Sequence, residues 1–353
     1  MRAAAQLLQR PGSARVPVDV ARAIAGAQAQ DVHAGPLTFR SRSRRLTAAD
    51  VHRARTEDRS LLRTWVMRKT IHLIPSDDAA WLLPLFEPAI EKWSRRRLGQ
   101  LGMPPSTQVR ALRAIERTLE AEGPMTRSEL AERIVSAGVE LDTQTRLHVV
   151  LVAVTSGIAC LGPDRGRTTC LVLRGDWIGK LPQFDRPTAL AELARRYLRA
   201  FGPATEADFA SWAGLGLTEV RSGLDSIAGE LAEWRLGEQR LYSLKGGRAR
   251  LPPTGQIRLL AAFDTYMLGY RSRDFAVPPD GVGAVKVGGG GWIRPVIVED
   301  GRVIGTWRSA RKAGGLELEL KPFDRLAPET RAAIDAEIVD IGRFEGLTAR
   351  LAG

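Results

Sequence analysis

Apolar residues recur along much of the chain at helical spacing, and three times the helical stretches end in a pair of alternating segments. Val109, Leu112, Ile115 and Leu119 lie three or four residues apart and predict a helix. Gly123-Pro124-Met125-Thr126 interrupts it. Thr126 then reads as the N-cap of a second helix carrying Leu130 and Ile134, with Glu129 as its capping-box partner. Thr143 opens a third helix on Leu147, Val150, Leu151 and Val154, and Gly157 stops it. From Ile158 to Leu173 the pattern predicts two strands around Gly162-Pro163-Asp164-Arg165-Gly166.

The same grammar returns roughly 80 residues later. Leu190, Leu193, Tyr197 and Phe201 mark a helix, followed by Gly202-Pro203-Ala204-Thr205. Thr205 and Asp208 form a second capping-box pair before Phe209 and Trp212. Thr218 is expected to cap a third helix on Val220, Leu224 and Ile227. Leu231 to Leu236 and Arg240 to Leu244 form a hairpin with Gly237 at its turn. A looser first copy comprises Val18 to Ala25, a short helix in Val32 to Phe39 interrupted by Gly35-Pro36, and Thr47 to Arg55 with Asp50 at the box position. Its hairpin runs through Leu62 to Val66 and Thr70 to Ile74. Beyond these lie β-rich stretches at Ile257 to Phe263, Arg294 to Val298, Val303 to Arg308 and Leu316 to Leu320, then a helix from Pro328 to about Phe344. Pro252-Pro253, Pro278-Pro279 and Gly288 to Gly291 mark loops. The pattern predicts an α+β protein: three tandem winged-helix modules (1–100, 101–183 and 184–250) and a β-rich C-terminal region with a terminal helix (251–353).

Composition narrows the classes. A chain of 353 residues buries about three quarters of its unfolded surface and needs no disulfide or metal to hold a core. No apolar run reaches the ~18 residues of a membrane span, and Met1 to Arg10 has no export-signal pattern, so a cytoplasmic chain with no membrane contact is expected. Cys160 and Cys170 have no ligand-spaced neighbours and read as two buried free thiols. Four scattered histidines argue against a metal site. There is no Walker loop, His-Glu-x-x-His, Cys-x-x-Cys or Gly-x-Ser-x-Gly, and no cofactor is expected. Nothing in the sequence signals an oligomer, which leaves a monomer as the expectation. The net charge of +12 favours a polyanionic partner, nucleic acid first, although the scarcity of lysine also reflects an arginine-biased composition.

Candidate chemistry gathers near the N-terminus. Gly26 ends a helix, and in the extended backbone after it Gln28 and Gln30 point the same way across Ala29. A carboxamide both donates and accepts, so the pair is suited to orienting a water or a base edge; two solvent-facing polar residues at a helix end are the alternative. The hairpin tip Arg68-Lys69-Thr70, with Arg63 on its first strand, is placed to reach a phosphate. His72 faces opposite to Ile71 and Leu73 and reads as a DNA contact or a core histidine. Arg40, Arg42, Arg44 and Arg45 put four cations in six residues, and Lys92, Arg95, Arg96 and Arg97 form a second cluster; each is a phosphate-binding surface or a solvated face. The helix from Thr218 to Ala228, with Glu219 and Asp225, is too acidic for a major-groove reader.

Together these residues resemble the bacterial tandem winged-helix family of AlkZ-type DNA glycosylases. The likeness is carried by Gln28-Ala29-Gln30, Trp65 to Leu73, Gly202 to Trp212, Ala262 to Arg271, and Arg294-Pro295 through Asp300-Gly301-Arg302 to Trp307, and it spans roughly residues 15 to 345. It implies three winged helices around a basic channel and a partner of double-stranded DNA carrying alkylated purines, met in the bacterial nucleoid. It implies excision of N-alkylated purines, including unhooking of interstrand crosslinks, with Gln28 and Gln30 as the catalytic pair. Arg271 and Arg273 join the expected DNA contacts. The tip Arg68-Lys69 departs from the Arg-Gly expected of the family. A non-catalytic winged-helix DNA-binding protein that senses damage or regulates is the alternative.

Overall fold

A computed structural model describes residues 1–9, 12, 14–166, 168–246, 254–287 and 292–352. The loops expected at Pro252-Pro253 and Gly288 to Gly291 lie outside the described residues. The chain divides into two compact units, Met1–His52 with Leu190–Gly353, and Arg53–Ala189. This division differs from the four consecutive segments expected, because residues 1–52 join the C-terminal region rather than the residues that follow them.

The discontinuous unit is built on a five-stranded sheet in the order Ala349–Leu351, Gly315–Pro322, Arg302–Lys312, Val296–Glu299, Ile257–Leu260. All neighbours are antiparallel except the short last strand of the chain, which runs parallel to Gly315–Pro322. Alternating side chains feed two cores. On one side Ile257, Leu259, Ile297, Trp307 and Leu318 meet Ile334, Ile338 and Ile341 of the helix Pro328–Glu345, with Leu37 packed against them. On the other, Leu260, Val296 and Val298 pack with Tyr266 and Met267 and with Ala3 and Leu8 from the start of the chain. The same unit holds the helices Glu206–Ala213 and Leu217–Asp225 and the hairpin Leu231–Leu236/Gln239–Leu244. The capping box of Thr205 and Asp208 forms as expected. Thr218 caps nothing: Gly216 is the N-cap, and the helix begins at Leu217, two residues earlier than a cap at Thr218 implies. Tyr197, Phe209 and Trp212 stack in the interior, Tyr197 and Phe209 with ring centres 4.6 Å apart.

The unit Arg53–Ala189 carries the helices Ala79–Gln100, Pro105–Glu122, Arg127–Ser136 and Thr143–Thr155. Its strands follow the order Ile71–Pro75, Leu61–Trp65, Ala159–Arg165, Thr168–Leu173, so the first two hairpins share one sheet. Thr126 and Glu129 make the expected capping box, and Thr143 opens the next helix as expected, capped by Asp142 with Thr145 as its partner. The strand Ala159–Arg165 runs straight through Gly162-Pro163, and its register shifts between Leu161 and Asp164. These turn-forming residues therefore mark a bulge, and the turn lies further on, at Gly166. Cys160 and Cys170 are buried and free; Cys160 lies opposite Val172, and burial pushes its thiol up to about 12.

Candidate active site

The Gln28-Ala29-Gln30 segment sits between two short helices that shape it from both ends. Pro17–Ala23 buries Val20 and Ala21, then terminates through Ala25 and Gly26 at φ 57° and 89°. The Gly26 N–H closes that end by donating to the Ala21 carbonyl at 2.8 Å. The backbone then extends: Ala27–Gln28 is a short strand, Gln28 and Ala29 are buried, and Gln30 is exposed. Asp31 turns the chain into the next helix, its carboxylate accepting from the N–H groups of His33 (2.8 Å) and Ala34 (3.1 Å). That helix, Ala34–Arg40, approaches so closely that a β-carbon on Gly35 would lie 3.0 Å from the Ala29 Cβ and 3.2 Å from its Cα. Pro36, expected to interrupt this helix, sits in its first turn, where a missing N–H costs nothing.

The arginine run that follows divides by burial. Arg44 and Arg45 are exposed. Arg40 and Arg42 were expected to meet phosphate; both are buried and bound to carboxylates instead. Arg40 donates to Glu337 at 2.9 Å and Asp340 at 3.1 Å on the terminal helix, and to the Leu259 carbonyl at 2.6 Å. Arg42 makes a two-pronged contact with Asp264, both bonds 2.8 Å, and reaches Gln6 and Thr265 at 3.0 Å. The segment Ala262 to Arg271 singled out in the sequence thus supplies this carboxylate. The physical reason is desolvation: a cation taken from water needs an opposite charge, and distant carboxylates provide it, although the Nε of each arginine is left without a hydrogen-bond partner.

The hairpin Leu61–Trp65/Ile71–Pro75 presents the second group of expected contacts. Its tip is a single turn, Met67–Lys69, with Arg68 and Lys69 at φ 55° and 61°; Lys69 is exposed, Arg68 and Thr70 partly so. Lys69 Nζ lies 4.9 Å from the Trp93 ring centre. Arg63 is buried and donates to the Thr169 hydroxyl at 3.0 Å, and burial lowers it to about 10. His72 is fully enclosed. Burial, and then the nearby Arg68 charge, lowers it to about 3, so the ring is neutral and its Nδ1–H donates to the Thr70 carbonyl at 3.0 Å. Neither Arg63 nor His72 is a surface contact here. Arg271 is exposed and Arg273 half-buried, both in the discontinuous unit.

Two features of the site were missed in the sequence. Gly35 sets the approach of helix to strand, and only its contact with Ala29 reveals that. Glu345, at the end of the terminal helix, is raised above the usual carboxylate range by burial, while Arg311 and His33 pull it back. It is a titratable group coupled to His33, three residues beyond Gln30, from more than 300 residues away. Among the described residues no cluster of His, Cys, Asp and Glu stands ready to hold a metal, and no helix is long and apolar enough to cross a membrane.

Comparison with known proteins adds three findings. The family described as AlkZ-like DNA glycosylases matches residues 21–344. An interstrand DNA cross-link repair glycosylase from Streptomyces sahachiroi is 30% identical over 359 residues, covering 94% of this chain and 91% of the relative. The solved structure of the Streptomyces sahachiroi DNA glycosylase AlkZ superposes with a TM-score of 0.78 at 28% identity, across 99% of this chain and 97% of that one.

Proposed function

This chain belongs to the AlkZ-like family and is a DNA glycosylase, and from that premise we propose that it excises cationic N-alkylated purines, unhooking interstrand crosslinks among them, with Gln28 and Gln30 as the catalytic pair. An N7- or N3-alkylated purine already carries the positive charge that makes it a good leaving group. The protein therefore has no proton to deliver to the base. What remains is to hold a water at C1′ and to stabilise an oxocarbenium-like sugar. Positioned dipoles contribute several kcal/mol to such a barrier.

The observation that carries the reading is the built loop itself. The backbone is extended at Ala27–Gln28 and bends at Gln30, and the segment is flanked by the turn at Gly26, the Asp31 side chain and the close approach of Gly35. Gln30 faces out while Gln28 and Ala29 are inside. A preorganised carboxamide suits water placement, and its weak basicity restricts the chemistry to lesions that leave unaided. No lysine stands beside the pair in the sequence, and hydrolysis without a Schiff base is the expected course; trapping of a covalent adduct with borohydride would overturn it. The fold is read as three winged helices and a β-rich region, a monomer on its DNA, with Arg44, Arg45, Arg68, Lys69 and Thr70 on the strand phosphates. Arg271 and Arg273 serve there too.

Single-turnover release of 7-methylguanine from a defined duplex tests this. Gln28→Ala and Gln30→Ala are each expected to slow release by about 100-fold or more while leaving DNA affinity nearly intact. Retained excision in both variants would remove the pair from the mechanism, and equal turnover of uracil or of adenine mispairs would refute selection by leaving-group charge.

A further inference from the structure

We propose that Glu345, at the end of the terminal helix, is a positioning residue for the Gln28–Gln30 loop: its charge ties the turn that closes the loop, through His33, to Arg311 near the tip of the hairpin Arg302–Lys312/Gly315–Pro322. The proposal rests on the glycosylase reading and adds to it a residue more than 300 positions from the pair.

Three observations carry it. First, packing brings three separate stretches to one place. The helices Ala34–Arg40 and Pro328–Glu345 lie against each other: Arg40 reaches Glu337 and Asp340, and Leu37 packs on the core that holds Ile338 and Ile341. His33, before the opposite end of the short helix, falls within range of the Glu345 charge. The hairpin turn presses on the chain just beyond Glu345. There the Leu316 N–H donates to the Thr348 carbonyl at 2.8 Å, and a β-carbon on Gly315 would run into that oxygen. Arg311 brings Nη2 to 3.7 Å from the Glu345 carboxylate.

Second, Glu345 differs from the other acidic groups of its helix. Glu337 and Asp340 are committed to Arg40, and Glu329 and Asp335 are exposed. The Glu345 side chain keeps only 20% of its surface and, among the described residues, accepts no hydrogen bond; the Arg311 contact is too long for one. A carboxylate withdrawn from water without donors is held at a cost, which nearby positive charge offsets.

Third, that charge meets the closure of the loop itself. Asp31, next after Gln30, accepts from the N–H groups of His33 and Ala34, so His33 belongs to the turn that ends the glutamine segment. Arg343 on the same helix is held by Asp340 at 2.7 Å, and Arg350 on the returning strand by Glu317 at 2.8 Å; Arg311 and His33 are the groups that act on Glu345. Burial lifts its carboxyl above the usual range, so on acidification the tie lapses before an exposed glutamate would lose its charge.

The test is the pH profile of single-turnover 7-methylguanine release at saturating enzyme, over the range in which melting shows each variant folded. Wild type is expected to lose rate as Glu345 takes up its proton. Glu345→Gln is expected to be slower by about tenfold or more at neutral pH, with that acid limb gone, and Glu345→Asp to recover rate and limb together. Arg311→Ala removes a cation that favours the charged form, so the limb is expected to move to higher pH. Without DNA, hydrogen exchange at the His33 and Ala34 N–H groups is expected to quicken in Glu345→Gln. Wild-type rate and profile in Glu345→Gln overturn the proposal. So do equal losses in Glu345→Gln and Glu345→Asp with the limb unmoved in Arg311→Ala, the mark of packing alone. Excision by wild type with exchange unaltered in Glu345→Gln sinks the tie and spares the glycosylase reading. Wild type that releases no base sinks the catalytic reading, and the exchange measurement then decides the tie by itself.

Discussion

Lys69 holds a left-handed backbone at φ 61°, where a β-carbon costs about 1–2 kcal/mol, next to Arg68 at 55°. The family expectation of glycine at this position matches that geometry, and this chain accepts strain to keep a cation at the tip. Lys69→Gly is expected to gain about 1 kcal/mol in urea unfolding and to lose one phosphate's worth of salt slope on DNA. Three residues on, His72 sets an acid limit. The unfolded ring takes up a proton below about 6.5, while the folded ring refuses one down to about 3. The unfolded state therefore binds more protons in that window, and stability falls as pH drops through it. His72→Gln is expected to flatten the decline between pH 6 and 4, measured by thermal melts at each pH; an unchanged acid limb would place the loss elsewhere. Alternation along the chain assigns His72 a face opposite to Ile71 and Leu73. Every residue of Ile71–Pro75 is buried, however, so neither face is solvent and the period of two had nothing to distinguish.

Helix starts were legible where their partners lie within one turn. Thr126 with Glu129 and Thr205 with Asp208 are each three residues apart, and both boxes form. At Gly216 the same logic chose a nearby threonine, Thr218, although glycine also serves as an N-cap. Gly162-Pro163 was read as a turn because the residues that permit turns also permit bulges. The contact of the helix Ala34–Arg40 with the glutamine strand was invisible, for glycine in a helix carries no pattern of its own. Gly35→Ala tests it. Helix propensity favours alanine by about 1 kcal/mol, and the crowding against Ala29 opposes it. Net stability is expected to change little. The displaced Gln28 and Gln30 should nevertheless slow single-turnover excision by about tenfold or more, as small misplacements of catalytic groups do. An unaltered rate would mean the loop tolerates the shift.

The largest misreading concerns how far apart partners lie. Arg40 and Arg42 look like half of a phosphate-binding patch, and their carboxylates stand 222 to 300 residues downstream, beyond the reach of any local pattern. Those pairs bind the first 52 residues to the C-terminal sheet and helix within one unit. Asp264→Ala leaves Arg42 buried and uncompensated and is expected to cost about 3–5 kcal/mol, read by calorimetric melting; a loss below 1 kcal/mol would contradict the role given to this pair. A consequence follows for the growing chain on the ribosome. Translation delivers the glutamine loop early, but Asp264 emerges 222 residues after Arg42, a delay of roughly 10–45 s at 5–20 residues per second. Until then Arg42 lacks its counter-charge, and prematurely terminated chains carry the first 52 residues without their fastening to the C-terminal part of the unit. A chain interrupted before Asp264 thus holds a buried arginine without its partner carboxylate, which favours its staying unfolded.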